Sequence, residues 1–107
     1  MITTHVLDTT QGRPAAGIPV TLDVHVCGES WRELGQTVTD GDGRARTLVA
    51  SSTELQAGLY RLTFDVESYQ QSFYPRIVIV FRVDSPNEHY HVPVLLSKFG
   101  YTTYRGS

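Results

Sequence analysis

Residues 89–97 read HYHVPVLLS. Side chains alternate across a β-strand, so His89, His91, Pro93 and Leu95 share one face. Tyr90, Val92, Val94 and Leu96 share the other. Both faces therefore need cover, one from the core of the domain and the second from elsewhere. A proline within a strand belongs at an edge or where the ladder needs no N–H. A partly apolar outer face bearing two histidines points to a subunit interface or a pocket.

The period of two extends in both directions from this segment. Upstream, RIVIVFRV (76–83) is β-branched and apolar on both faces, which predicts a central strand. LYRLTFDV (59–66) turns Tyr60, Leu62, Phe64 and Val66 inward. IPVTLDVHV (18–26) puts Val20, Leu22, Val24 and Val26 on one face and Thr21, Asp23 and His25 on the other. SWRELGQTVT (30–39) is a further strand, DGDG (40–43) a tight turn, and RARTLV (44–49) a new extended run. At the start, TTHVLD (3–8) alternates Thr3, His5 and Leu7 with Thr4, Val6 and Asp8. VESYQQSF (66–73) is the one stretch suited to helical turns. About eight short strands at roughly ten-residue spacing, broken by Gly, Pro and Asp, predict an all-β sandwich. No repeat, low-complexity run or linker divides the 107 residues, so residues 1–107 form one domain.

Composition narrows the function classes. Hydrophobic residues are 40% of the chain and the net charge is -2, a globular balance with no basic excess for nucleic acid. One cysteine, Cys27, cannot form an intrachain disulfide and reads as a small apolar residue. No run approaches the roughly 20 apolar residues of a membrane span. The start MITTHVLD lacks the basic and apolar regions of a signal peptide. The cytoplasm is then the default compartment, or the periplasm if a leader was removed.

His5, His25, His89 and His91 are the four histidines. None has the spacing of a helical zinc site. His89 and His91 point the same way on a strand, but two ligands make a weak metal signal. His5 and His91 lie in the first and penultimate strands, where no polar group is needed for folding. A neutral imidazole can take a proton from water near pH 7. Arg44 opens a strand directly after the DGDG turn, and a guanidinium can hold a planar, anionic substrate through paired donors. The bland alternative is surface histidines and a surface arginine. His25 is expected on the outward side of its strand in a structural or solvent-facing role. Trp31, Tyr60 and Phe64 are expected at the core or its edge. Arg46 and Arg61 read as surface charges, with Arg46 two residues past Arg44 and within reach of the same mouth.

Four segments, TTHVLDTTQGRPAAGIPVTL (3–22), TDGDGR (39–44), EHYHVP (88–93) and YRGS (104–107), together resemble the 5-hydroxyisourate hydrolases, the transthyretin-related enzymes of purine breakdown. The resemblance covers nearly the whole chain in matching order. It implies an eight-stranded, two-sheet transthyretin-like β-sandwich with one short helix. It further implies a homotetramer, a dimer of dimers, with active sites in a channel between subunits and no metal or cofactor. The implied reaction is hydrolysis of 5-hydroxyisourate to 2-oxo-4-hydroxy-4-carboxy-5-ureidoimidazoline on the route from urate to allantoin.

Carried over by motif, the catalytic residues are His5, Arg44, His91 and Ser107. His5, Arg44, Tyr104, Arg105 and Gly106 hold the substrate, and His89 lies nearer the rim. The terminal YRGS is expected to wall the site, with Gly106 permitting close approach and a carboxylate at Ser107 orienting Arg105 or a histidine. SKFGYTT (97–103) departs from the usual SPYGYST, with Phe99 for tyrosine, outside the motif residues. Two other classes share the sandwich: a transthyretin-like carrier of a hydrophobic ligand, and a non-catalytic adhesion or carbohydrate-binding module. The carriers lack the histidine pair, the arginine and the YRGS end.

Overall fold

The computed structural model describes all 107 residues. Nine strands form it: β1 (Ile2–Asp8), β2 (Arg13–Pro14), β3 (Pro19–Cys27), β4 (Ser30–Val38), β5 (Arg44–Ala45), β6 (Gly58–Asp65), β7 (Arg76–Val83), β8 (Tyr90–Leu96) and β9 (Tyr101–Thr103). One sheet runs β2-β1-β8-β9, with β5 also paired to β1; the other runs β4-β3-β6-β7. The all-β sandwich is as expected. β2 and β5 have two residues each, too short to register as strands by alternation.

The core lies between the sheets, where alternation placed it. Tyr60, Leu62, Phe64 and Val66 are at most 1% exposed. They meet Val20 and Leu22 of the same sheet and Val6, Val92, Val94 and Leu96 of the opposite one in a single buried cluster. Val26 departs from its expected inward face. A register shift between His25 and Cys27 breaks the alternation near the hairpin tip, and Val26 is exposed.

Two further expectations are corrected. The short helix at 66–73 does not form. Tyr69 and Gln70 donate their N–H groups to the Val66 carbonyl at 2.9 and 3.0 Å, a single turn that stops. Glu67 N–H instead bonds to Pro75 O at 2.9 Å, and Tyr69 is held away by its hydroxyl donating to Asp8 Oδ2 at 2.8 Å. So short a segment offers too few helical bonds to offset nucleation. The segment RIVIVFRV is likewise not central. β7 pairs with β6 alone, and its outer residues Val78 and Val80 are 47% and 52% exposed. Its second apolar face is bare in the single chain.

Pro93 explains the path of the C-terminus. β9 pairs with Val94, Leu95 and Leu96 and stops there. Proline has no N–H to continue the ladder. The partner strand lapses beside it and rejoins at one bridge, Gly106 with His91. Tyr104 and Arg105 occupy the gap.

Candidate active site

The outer face of the β1–β8 sheet carries the residues of interest. β1 and β8 run parallel, with Thr3 opposite His91 and His5 opposite Pro93. On the other side of β1, β5 places Arg44 opposite His5. Three strands distant in sequence thus bring Thr3, His5, Arg44, His89 and His91 onto one surface.

The DGDG turn aims Arg44. Asp40 Oδ1 accepts the N–H groups of Asp42 and Arg44 at 2.9 and 3.0 Å. The Arg44 N–H bond is the chief reason the Asp40 carboxyl sits below its usual range. Gly43 has φ +75°, a conformation that L side chains rarely adopt. A Cβ there would lie 2.4 Å from the Val6 carbonyl oxygen. The turn therefore packs directly on β1, and Val6 N–H bonds to Gly43 O at 2.8 Å.

A concavity of about 300 Å³ opens on this face, lined by Thr3, Arg44, Arg46, His89, His91 and Ser107 among others. No acidic side chain lines it. Arg46 is neutralised by Asp40 at 3.0 Å. Arg44 takes part in none of the three ion pairs of the chain, Arg46–Asp40, Arg61–Asp23 and Arg105–Glu88. Its guanidinium is free to bind oxygens of a ligand. Burial is the main cause holding the half-buried His91 below the ordinary histidine value of 6.5, helped by the charges of Arg44, His89 and His5. The ring is therefore neutral at pH 7 and can accept a proton.

Not every expected residue reaches this concavity. His5 shares the sheet face and sits beside Arg44, but it does not line the hollow in the single chain. Tyr104 and Arg105 line a different groove of about 260 Å³, between β7 and β8, with Phe81 and Tyr90. Arg105 packs 4.4 Å over the Tyr90 ring and pairs with Glu88 at 3.3 Å. No ion pair joins Ser107 to Arg105 or to a histidine; Arg105 pairs with Glu88 instead. Gly106 approaches His91 closely. Its N–H bonds to His91 O at 2.8 Å, and an added Cβ would lie 2.7 Å from His91 Cδ2.

Among the other candidates, His25 Nε2 lies 2.7 Å from Gly28 O and Trp31 packs edge-on against it. Arg61 is no free surface charge: it pairs with Asp23 at 2.8 Å and lies 4.5 Å over Trp31. No three His, Cys, Asp or Glu side chains converge as a metal site. Thr3 escaped the sequence reading, since nothing in a strand threonine signals a partner 88 residues away. Its hydroxyl lies 2.8 Å from His89 Nε2 and 2.7 Å from His91 Nδ1.

Comparison with known proteins matches this arrangement to a family. The sequence pattern described as "HIUase/Transthyretin family" fits residues 2–106. A 5-hydroxyisourate hydrolase of Mus musculus is 43% identical over 112 residues, spanning 99% of this chain and 94% of the mouse protein. The uric acid degradation bifunctional protein TTL of Arabidopsis thaliana is also 43% identical, but this chain spans only 37% of its length. Among solved structures, the 5-hydroxyisourate hydrolase of Klebsiella pneumoniae superposes with a TM-score of 0.84 at 33% identity, covering 99% of this chain and 97% of that one. Sea bream transthyretin in complex with thyroxine superposes with a TM-score of 0.87 at 28% identity, covering 98% and 93%. With sequence pattern, full-length identity and superposition all in agreement, the chain belongs to the HIUase/Transthyretin family.

Proposed function

We propose that the chain is a 5-hydroxyisourate hydrolase acting in urate degradation. The backbone does not separate hydrolase from thyroxine-binding neighbour, since both superpose about equally. Function lives in the side chains of the site. The observation that carries the reading is an unpaired Arg44 facing the same concavity as His91 and Ser107. The 43% identity to the mouse hydrolase adds to it.

In the proposed mechanism, water attacks a ring carbonyl carbon while His91 takes its proton. The carbonyl electron pair moves onto oxygen, where the Arg44 guanidinium stabilises the developing charge. The intermediate collapses and breaks the ring C–N bond. The departing nitrogen receives the proton from His91, leaving a carboxyl group and an opened ring. His5, beside Arg44, orients the water or completes the site from its rim. Removing one oxyanion donor typically costs about 10²–10³-fold in rate.

The working assembly in this reading is a homotetramer, a dimer of dimers. Two features support it. β7 offers an unpaired edge with exposed Val78 and Val80, and an exposed aromatic group, Phe73, Tyr74 and Tyr101, lies near β9. The shallow concavity also gains a roof, and His5 a place within it, if a second copy packs on this face. Gel filtration at four times the mass of one chain is the expected result; elution as a monomer would contradict the assembly. Substitution tests the mechanism. His91→Ala and His5→Ala should each lose at least about 100-fold in turnover with the fold intact. A wild-type rate in either variant removes that histidine from the mechanism.

A further inference from the structure

The Thr3 hydroxyl stands between two imidazoles, 2.8 Å from His89 Nε2 and 2.7 Å from His91 Nδ1. A hydroxyl has one proton to give and accepts through its lone pairs. Both rings could donate to it only if its own proton went to another acceptor, and the Thr3 hydroxyl has no other partner; with both rings neutral, one imidazole therefore donates to Thr3 and the other accepts from it. Only two arrangements satisfy all three groups. In the first, His89 Nε2–H donates to Thr3 and Thr3 donates to His91 Nδ1, so His91 carries its proton on Nε2. In the second, His91 Nδ1–H donates to Thr3 and Thr3 donates to His89 Nε2, leaving His91 Nε2 as a bare lone pair.

The surroundings choose between them. Nδ1 of His91 is engaged by Thr3, so Nε2 is its one remaining polar atom, and no group of the chain bonds to it. His91 shares the concavity with the unpaired Arg44 guanidinium and with no acidic side chain, Arg46 being neutralised by Asp40, and the charges that act on its ring, Arg44, His89 and His5, are all basic. A lone pair is favoured in that positive field, and an N–H dipole with its hydrogen toward it is disfavoured. Thr3 is well placed to hold the arrangement. It is 7% exposed, fixed in β1 directly opposite His91 by the parallel register.

We propose that Thr3 and His89 are positioning residues that lock His91 in its Nδ1–H tautomer, so that Nε2 is the proton-accepting atom of the site. The proposal deepens the hydrolase reading and rests on it for its catalytic meaning. Its structural content stands without that reading. His89 then carries its own proton on Nδ1, and its Nε2 terminates the relay as an acceptor. The charged and titratable groups acting on His91 are Arg44, His89 and His5, with Arg46, the Met1 amino group and Ser107 lining the same concavity. None supplies an alternative acceptor for Nδ1–H.

The test is nitrogen-15 NMR of the histidine side chains in the untagged protein at pH 8, which reports the tautomer directly. His91 is expected as Nδ1–H in the wild type and in Thr3→Ser, and shifted toward Nε2–H in Thr3→Val. A wild-type His91 with its proton on Nε2 overturns the proposal whatever the activity. In turnover assays, Thr3→Val should lower kcat about tenfold with KM little changed, from the loss of one well-made hydrogen bond. Thr3→Ser should restore it, since the hydroxyl returns. An active wild type with an equally active Thr3→Val overturns the relay and leaves the hydrolase reading intact. An inactive wild type that nonetheless shows Nδ1–H in His91 supports the relay and defeats the hydrolase reading. His89→Phe, which removes the acceptor without touching β1, provides the same readouts if Thr3→Val does not fold.

Discussion

Gly106→Ala should disable the site while leaving the sandwich almost untouched. The added Cβ would lie 2.7 Å from His91 Cδ2, 3.0 Å from Pro93 Cγ and 3.3 Å from Pro93 Cδ. Normal carbon contacts are about 3.5–4.0 Å, so two groups must part by roughly 0.5–1 Å. The His91 ring cannot yield cheaply, because its Nδ1 is tied to Thr3 at 2.7 Å. Pro93 is buried within β8. The partner that yields is the exposed C-terminal segment, whose backbone is tied back by the Gly106 N–H to His91 O bond of 2.8 Å, while Arg105 is held separately by Glu88 and Tyr90. Lifting the segment breaks that bond, a loss of about 0.5–1.5 kcal/mol. The seated state then falls by roughly 2–13-fold, and Ser107 leaves the concavity with it.

Few core contacts are involved, so the melting temperature should fall by no more than about 4–8 °C, the shift expected per 1 kcal/mol at this size. The assay generates 5-hydroxyisourate in situ from urate with urate oxidase and follows its absorbance decay. We expect kcat/KM to fall about 2–13-fold in Gly106→Ala. A variant with full activity would refute the argument that close approach at Gly106 seats the terminus against His91.

Arg44→Ala should lose about 10²–10³-fold in kcat with an unchanged circular dichroism spectrum, and Arg44→Lys should recover only part, lacking the paired donors. Burial and neighbouring charge place His91 below 6.5, so the acid limb of the kcat/KM profile should lie below that value; a limb at or above 6.5 contradicts His91 as the base. The same shift makes stability fall as pH drops below 6.5, because the unfolded chain binds a proton that the folded one resists; urea titrations at pH 7 and 5.5 measure this term against a His91→Gln reference. Gly43→Ala combines a φ of +75° with a 2.4 Å approach to the Val6 carbonyl oxygen and should cost at least about 1–3 kcal/mol, read as a lower urea midpoint.

The fold was largely legible because burial on one face leaves a period-two signature. Tyr60, Leu62, Phe64 and Val66 announced it, as did Tyr90, Val92, Val94 and Leu96. β7 misled because apolar residues on both faces describe a central strand and an edge strand awaiting a partner equally well. The 66–73 segment misled because its polarity and length fit a helix, while Tyr69 was claimed by buried Asp8, a contact 61 residues away. At the site, Arg44 was readable from its turn and His91 from its alternation. The parallel register of β1 and β8 was not readable, so Thr3 had no visible partner. Nor does a tetrapeptide reveal which of its members turn toward which groove: Ser107 went to the His91 side, and Tyr104 and Arg105 to the Tyr90 side.

The measurement that bears most directly on the central claim is the decay of 5-hydroxyisourate with untagged wild-type protein, compared with its spontaneous decay in the same buffer. The account predicts an acceleration proportional to protein concentration, saturable in substrate, and abolished in His91→Ala. Decay at the protein-free rate, from a folded tetrameric sample, would contradict it and leave a ligand-binding member of the family in its place.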